Sequence, residues 1–135
     1  MKKDTEIWLA YAAENIRSAE ILLESGIYNP SLQNAQQAIE KALKAILIEK
    51  SAGLSRTHSI RELADRLDAL DMEHTLTDDD IDLIDSIYLP SKYPTYSVLP
   101  HFMPDDTICR KCLVIAQSVY RVVREQLAFK PPLLS

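Results

Sequence analysis

Glycine is scarce in this chain, with two residues in 135, and that scarcity argues against a sheet fold, whose hairpin turns and bulges draw on glycine. Long apolar runs are missing too. Charges or amides interrupt every hydrophobic stretch before the roughly 18 to 20 residues that a membrane-spanning helix needs, so no membrane partner is expected. A basic surplus is absent: the net charge is −5 and the pI about 5.1. Binding nucleic acid over the whole surface is thereby excluded, since that requires many cations against phosphates, and any such contact must be local. Met1-Lys2-Lys3 is followed by Asp4, Thr5 and Glu6 where an export signal would be apolar, and a cytoplasmic location is expected. The only cysteines, Cys109 and Cys112, have no second pair or nearby histidines at zinc spacing. No Glu-x-x-His pair exists to build a di-metal helical site, so neither metal nor cofactor is expected.

What is present reads as helix. Trp8, Tyr11, Ala12, Ile16, Ala19, Leu22 and Leu23 recur at steps of three and four, predicting a first helix over about 5–25 that Gly26 ends. Pro30 and Ser31 are expected to open a second, with the stripe Leu32, Ala35, Ala38, Ile39, Ala42, Leu43, Ile46 and Leu47. Its alanines permit close approach of a neighbour. Gln37, Glu40, Lys41 and Lys44 fall on the other face, where Glu40 and Lys44 read as an exposed i, i+4 pair worth a few tenths of a kcal/mol. Ser59 with Glu62 predicts a capped third helix, and Thr77 with Asp80 a fourth whose Asp78, Asp79 and Asp80 meet the positive end of the dipole. His74, in a polar turn, is expected in solvent. A fifth helix from about Asp105 to Ala128 carries an apolar arc covering about half its circumference, wider than the ~100° stripe one core needs. That excess predicts a homodimer through Ile108, Ile115 and Val122. The whole reads as one all-α domain over residues 1–130 with a short tail at 131–135.

Between the fourth and fifth helices, Leu89 to Pro104 holds four of the seven prolines and should continue neither helix. No acidic residue occurs from Ser86 to Pro104, which makes the local field positive. Lys92 can meet a phosphate, Tyr93 and Tyr96 can stack on a base, and His101 can titrate near neutrality. The same stretch also reads as an interhelical strap whose tyrosines fill a groove. His58 either orients its loop at a helix end or faces the same cleft as Lys92.

These residues resemble a known family. The run Asn34 to Ala45 is similar to the second helix of HEPN domains, and the opening helix with Trp8, Tyr11-Ala12, Asn15 and Ala19 to Leu23 is similar to their first. Thr57-His58-Ser59-Ile60 with Leu63 resembles the histidine ahead of the third helix, and Ser91-Lys92-Tyr93-Pro94 the motif of a basic residue, tyrosine and proline. The resemblance implies an all-α, up-and-down bundle like a four-helix bundle, with a fifth short helix and a long proline-rich loop before the last. It also implies dimers with a cleft at their interface, and pairing with a small nucleotidyltransferase, often as toxin and antitoxin.

One branch of the family consists of metal-independent ribonucleases that use an arginine followed, after four to six residues, by a histidine. Here the basic residue is Lys92, and His101 follows after eight intervening residues, two of them prolines. Lysine lacks the planar two-pronged grip of arginine on phosphate. The leading expectation is a noncatalytic module that binds a nucleotide or a nucleotidyltransferase partner through Lys92, Tyr93, Tyr96, His58, Lys44, Lys41 and Gln37. The alternatives are a metal-independent ribonuclease, with His101 as general acid and base and Lys92 on the phosphate, and a purely structural helical adaptor.

Overall fold

Ala35, Ala38, Ala42 and Ala45 project from the second helix in directions that let other backbones come close, and this is the helix the others pack around. A computed structural model describes residues 1–53, 56–92 and 103–128, except for the side chains of 88–92. Its helices are α1 (Lys3–Glu24), α2 (Tyr28–Glu49), α3 (Ile60–Ala69), α4 (Asp78–Lys92) and α5 (Asp106–Gln126). Among the described residues there is no strand. The all-α expectation holds, and among the described residues no helix is long and apolar enough to cross a membrane.

The expected stripe of α2 is buried in full, from Leu32 to Leu47. The start of that helix differs from expectation. Helix geometry begins at Tyr28, two residues before Pro30, after an Ile27 that makes no side-chain cap. First-turn amides have no intrahelical partner, so proline costs nothing there. The Ser31 hydroxyl instead donates to the Ala19 carbonyl at 2.8 Å, tying α2 to α1. Gly26 takes a left-handed φ of 74°, and the Ile27 amide reaches back to the Leu22 carbonyl at 2.9 Å. That closes α1 as a glycine end should. At the opposite end of the α1–α2 pair, the Lys2 backbone amide donates to Glu49 at 2.9 Å and its ammonium to the Ile48 carbonyl at 3.0 Å. The amide of Lys2 holds the Glu49 carboxyl below its ordinary value.

In α1 the buried face runs Thr5, Leu9, Ala12, Ala19 and Leu23. Leu9 is fully covered, and Tyr11, expected in the stripe, is 55% exposed. A rotation of about 40°, less than half of one residue's step around the helix, separates the two stripes.

The short helices are held by charge from outside themselves. The Ser59 hydroxyl accepts from the Glu62 amide at 3.2 Å, as expected. Glu62 returns no bond; the next two amides, of Ile60 and Arg61, donate to the Asp85 carboxylate of α4 at 2.8 and 3.0 Å. Thr77 and Asp80 cap α4 reciprocally, at 3.0 and 3.2 Å. Arg61 spans to Asp78 at 2.7 Å and Asp82 at 2.9 Å, latching α3 on α4. Helix α4 then runs through Pro90 to Lys92, four residues into the stretch from Leu89 that is expected to continue neither helix. A proline there gives up its amide bond to the carbonyl four residues back and crowds that carbonyl with its ring, and the helix continues only two residues past it.

His74 is not solvated. It is 9% exposed, with Nε2 against Asp68 at 2.9 Å and Nδ1 accepting the Leu76 amide at 3.0 Å. Beside it the Gln126 side chain bridges both backbone groups of Glu73, at 2.8 and 2.7 Å, and so ties α5 to the α3–α4 turn.

The wide apolar arc of α5 is spent within the chain. Ile115 is buried, Ile108 and Val122 pack partly buried on the core, and α5 lies on both α1 and α2. Two helical neighbours cover much of its width, with Ile108 and Val122 left partly exposed. The cysteines face this core as expected, 1% and 0% exposed. Burial pushes the Cys112 thiol up to about 12 and the Cys109 thiol up to about 11, with Asp105 and Asp106 adding to the latter.

A thiol that keeps its proton in the folded chain but ionises near 9.0 when unfolded makes the unfolded state the weaker proton binder at high pH. Stability therefore falls as pH rises above about 9 and levels off near the folded value, with a slope of about 1.4 kcal/mol per pH unit for Cys112. Burial raises the Tyr120 phenol in the same sense. Urea unfolding at pH 8 and pH 10 should show the loss, and Cys112→Ala should shrink the difference between the two pH values.

Candidate functional site: a cationic seam between the first two helices

Antiparallel pairing sets Trp8 and Tyr11 of α1, one turn apart, against Lys44 and Lys41 of α2. Two rungs result. The Lys44 ammonium lies 6.0 Å from the Trp8 ring centroid and the Lys41 ammonium 5.7 Å from that of Tyr11, within the range where a ring face attracts a cation.

The first rung is closed. Lys44 donates to Glu40 at 3.0 Å, and both side chains are nearly sealed, 6% and 5% exposed. The exposed pair expected from sequence is thus a buried one, because α2 is covered on sides that the polar pattern had assigned to solvent. The same carboxylate meets Nδ1 of His58 at 3.0 and 3.2 Å. His58 is held just ahead of the α3 cap, with its side chain 52% exposed. The His58 ring thus meets a carboxylate in the middle of α2 and not a helix end, while the expectation of a cleft shared with the Lys92 side chain lies outside the described residues.

The second rung is open. Lys41 donates to Asn15 Oδ1 at 2.8 Å, Asn15 donates to Asn34 Oδ1 at 2.9 Å, and Asn34 donates to the Pro30 carbonyl at 2.9 Å. A relay of neutral groups therefore fixes the ammonium. Among the described residues no carboxylate stands within ion-pair distance of Lys41, and two of its three N–H groups remain for other partners. Gln37 lies one turn before Lys41 on the same partly exposed edge.

Of the site residues expected from sequence, the structure gathers Lys41, Lys44, His58 and Gln37 along or beside this seam. Lys92 is the last residue of α4, but its side chain lies outside the described residues, as do Tyr93, Tyr96 and His101. Sequence reasoning missed Tyr11 and Asn15, having placed the first in the core stripe. The available signal was Asn15 one turn after Tyr11, a polar break in the line of apolar positions. A second depression, at the α3–α4 turn, is lined by Asp68, Asp71, Glu73 and His74. It presents carboxylates and a histidine already bonded at both nitrogens, so anions are disfavoured there. Among the described residues no three or more His, Cys, Asp or Glu side chains converge as metal ligands.

The order of these pieces, with the histidine loop between α2 and α3, agrees with a known domain. The HEPN domain family model matches residues 5–126. This chain belongs to the HEPN family. Among solved structures, TT1696 from Thermus thermophilus is 27% identical and superposes with a TM-score of 0.74, over 93% of this chain and 99% of that one. ST0689, described as an archaeal HEPN homologue, is 25% identical with a TM-score of 0.69, over 94% and 99%. No curated protein matches. The HEPN seam thus sits in a domain that the chain spans over nearly its full length.

Proposed function

We propose that this HEPN chain is a noncatalytic module that binds a nucleotide through its phosphate. One observation carries the reading: in an acidic protein, three basic side chains line a seam where, among the described residues, Glu40 is the single carboxylate, and Lys41 is held there by an amide and a ring. A fixed cation with spare donors and no internal anion is suited to a phosphate. Lys41 is the principal contact, with His58 beside it. Lys44 acts indirectly, since its charge is spent on Glu40.

Calorimetric titration with AMP and ATP tests this. Heat of binding is expected with the unmodified chain, and Lys41→Ala should weaken it on the order of tenfold, the worth of one charge-assisted hydrogen bond. No heat above dilution, or an affinity untouched by Lys41→Ala, would overturn the reading. Family resemblance supports two further parts of the proposal, a homodimer and a small nucleotidyltransferase partner in a toxin–antitoxin pair. Exposed Ile21 and Val114, beside the Glu20–Gln117 hydrogen bond joining α1 and α5, are among the apolar groups open to a second copy. Light scattering of the same preparation decides that point. The ribonuclease alternative, with Lys92 and His101, predicts RNA cleavage in EDTA that His101→Ala abolishes.

A further inference from the structure

We infer that Tyr11 is a stacking platform for the base of the bound nucleotide, so that the open rung of the seam reads a base and a phosphate together. The inference rests on the nucleotide reading above and adds to it a specific residue and a requirement for an aromatic base.

The argument starts from exposure. A tyrosine at an apolar position of an amphipathic helix gains by burying its ring, yet Tyr11 is 55% exposed while Trp8, one turn earlier, is packed against the core. The Tyr11 ring is nonetheless positioned, because it meets the Lys41 ammonium at 5.7 Å and that ammonium is itself held by Asn15 at 2.8 Å. A planar ring held in place and open to solvent, beside a cation with unused donors, offers the two contacts by which single nucleotides are gripped: stacking on the base and charge on the phosphate. Trp8 cannot serve this way, since the cation under it is buried and neutralised by Glu40. One rung of the pair closes the core and the other faces the ligand.

Comparison of AMP with ribose 5-phosphate isolates the base, because the two share sugar and phosphate. The unmodified chain should prefer AMP on the order of tenfold, the effect of one base stacked on an aromatic side chain. Tyr11→Ala should remove the preference, and ribose 5-phosphate binding should fall far less than AMP binding, since Asn15 still holds Lys41. Tyr11→Phe should keep it, because stacking needs the ring and not the hydroxyl. Equal binding of the two ligands by the unmodified chain, or a preference that survives Tyr11→Ala, would overturn the inference while leaving phosphate binding intact. Binding of neither ligand would remove the nucleotide reading and this one with it.

Discussion

Glu40→Ala should destabilise the protein by about 3–5 kcal/mol, the cost of leaving a buried charge without its partner. Lys44 is 6% exposed on its side chain, and Glu40 is the carboxylate at its ammonium, 3.0 Å away. With alanine in place, the ammonium keeps, among the described residues, the Trp8 ring at 6.0 Å, worth a fraction of the desolvation it has undergone. The double variant Glu40→Leu with Lys44→Leu should recover much of the loss, because apolar side chains of similar size avoid the desolvation altogether. Urea unfolding of both variants checks this. A Glu40→Ala loss below about 1 kcal/mol, the value typical of exposed ion pairs, would mean that water reaches the pair and the first rung is not closed.

Asp85→Ala is the second large loss, about 2–3 kcal/mol. Its carboxylate accepts from the Ile60 and Arg61 amides at 2.8 and 3.0 Å, and with it gone those donors at the start of α3 have only the Ser59 cap nearby, which serves Glu62. Hydrogen bonds to a charged acceptor contribute about 1.5–3 kcal/mol, and a lost helix cap about 1 kcal/mol, with partial overlap between the two. Asp85→Asn retains an acceptor and should lose less. Because His58 directly precedes this cap, the imidazole contact with Glu40 should loosen along with α3. Hydrogen exchange of the Ile60 and Arg61 amides would register the first change, and the His58 ring resonances by NMR the second.

Much of the fold could be read from residue order. The stripe of α2, the ends at Gly26 and Thr77, and the inward cysteines followed from period and end chemistry, which act over a turn or two. Contacts that cross the chain could not be read this way. Asp85 caps a helix that begins 25 residues earlier, and no local pattern shows it. Glu40 and Lys44 looked exposed because a polar face normally is; that α2 is surrounded by four other helices is a property of the assembled bundle. Leu9 and Tyr11 exchanged roles because steps of three and four tolerate a small rotation of the stripe. The site was half legible. The basic residues Lys41, Lys44 and His58 were picked out by type and by resemblance, whereas the ring and amide that position Lys41 lie on another helix. The connector residues Tyr93, Tyr96 and His101, and the Lys92 side chain, lie outside the described residues.

The crowding of α2 has an evolutionary corollary. A helix enclosed by its neighbours has few positions where drift goes unpunished, and here that freedom is confined to the narrow edge holding Gln37 and Lys41. If the proposed nucleotide site is there, packing and ligand chemistry occupy separate sides of one rod, and altering a few neighbouring side chains on that edge would change the ligand without disturbing the scaffold.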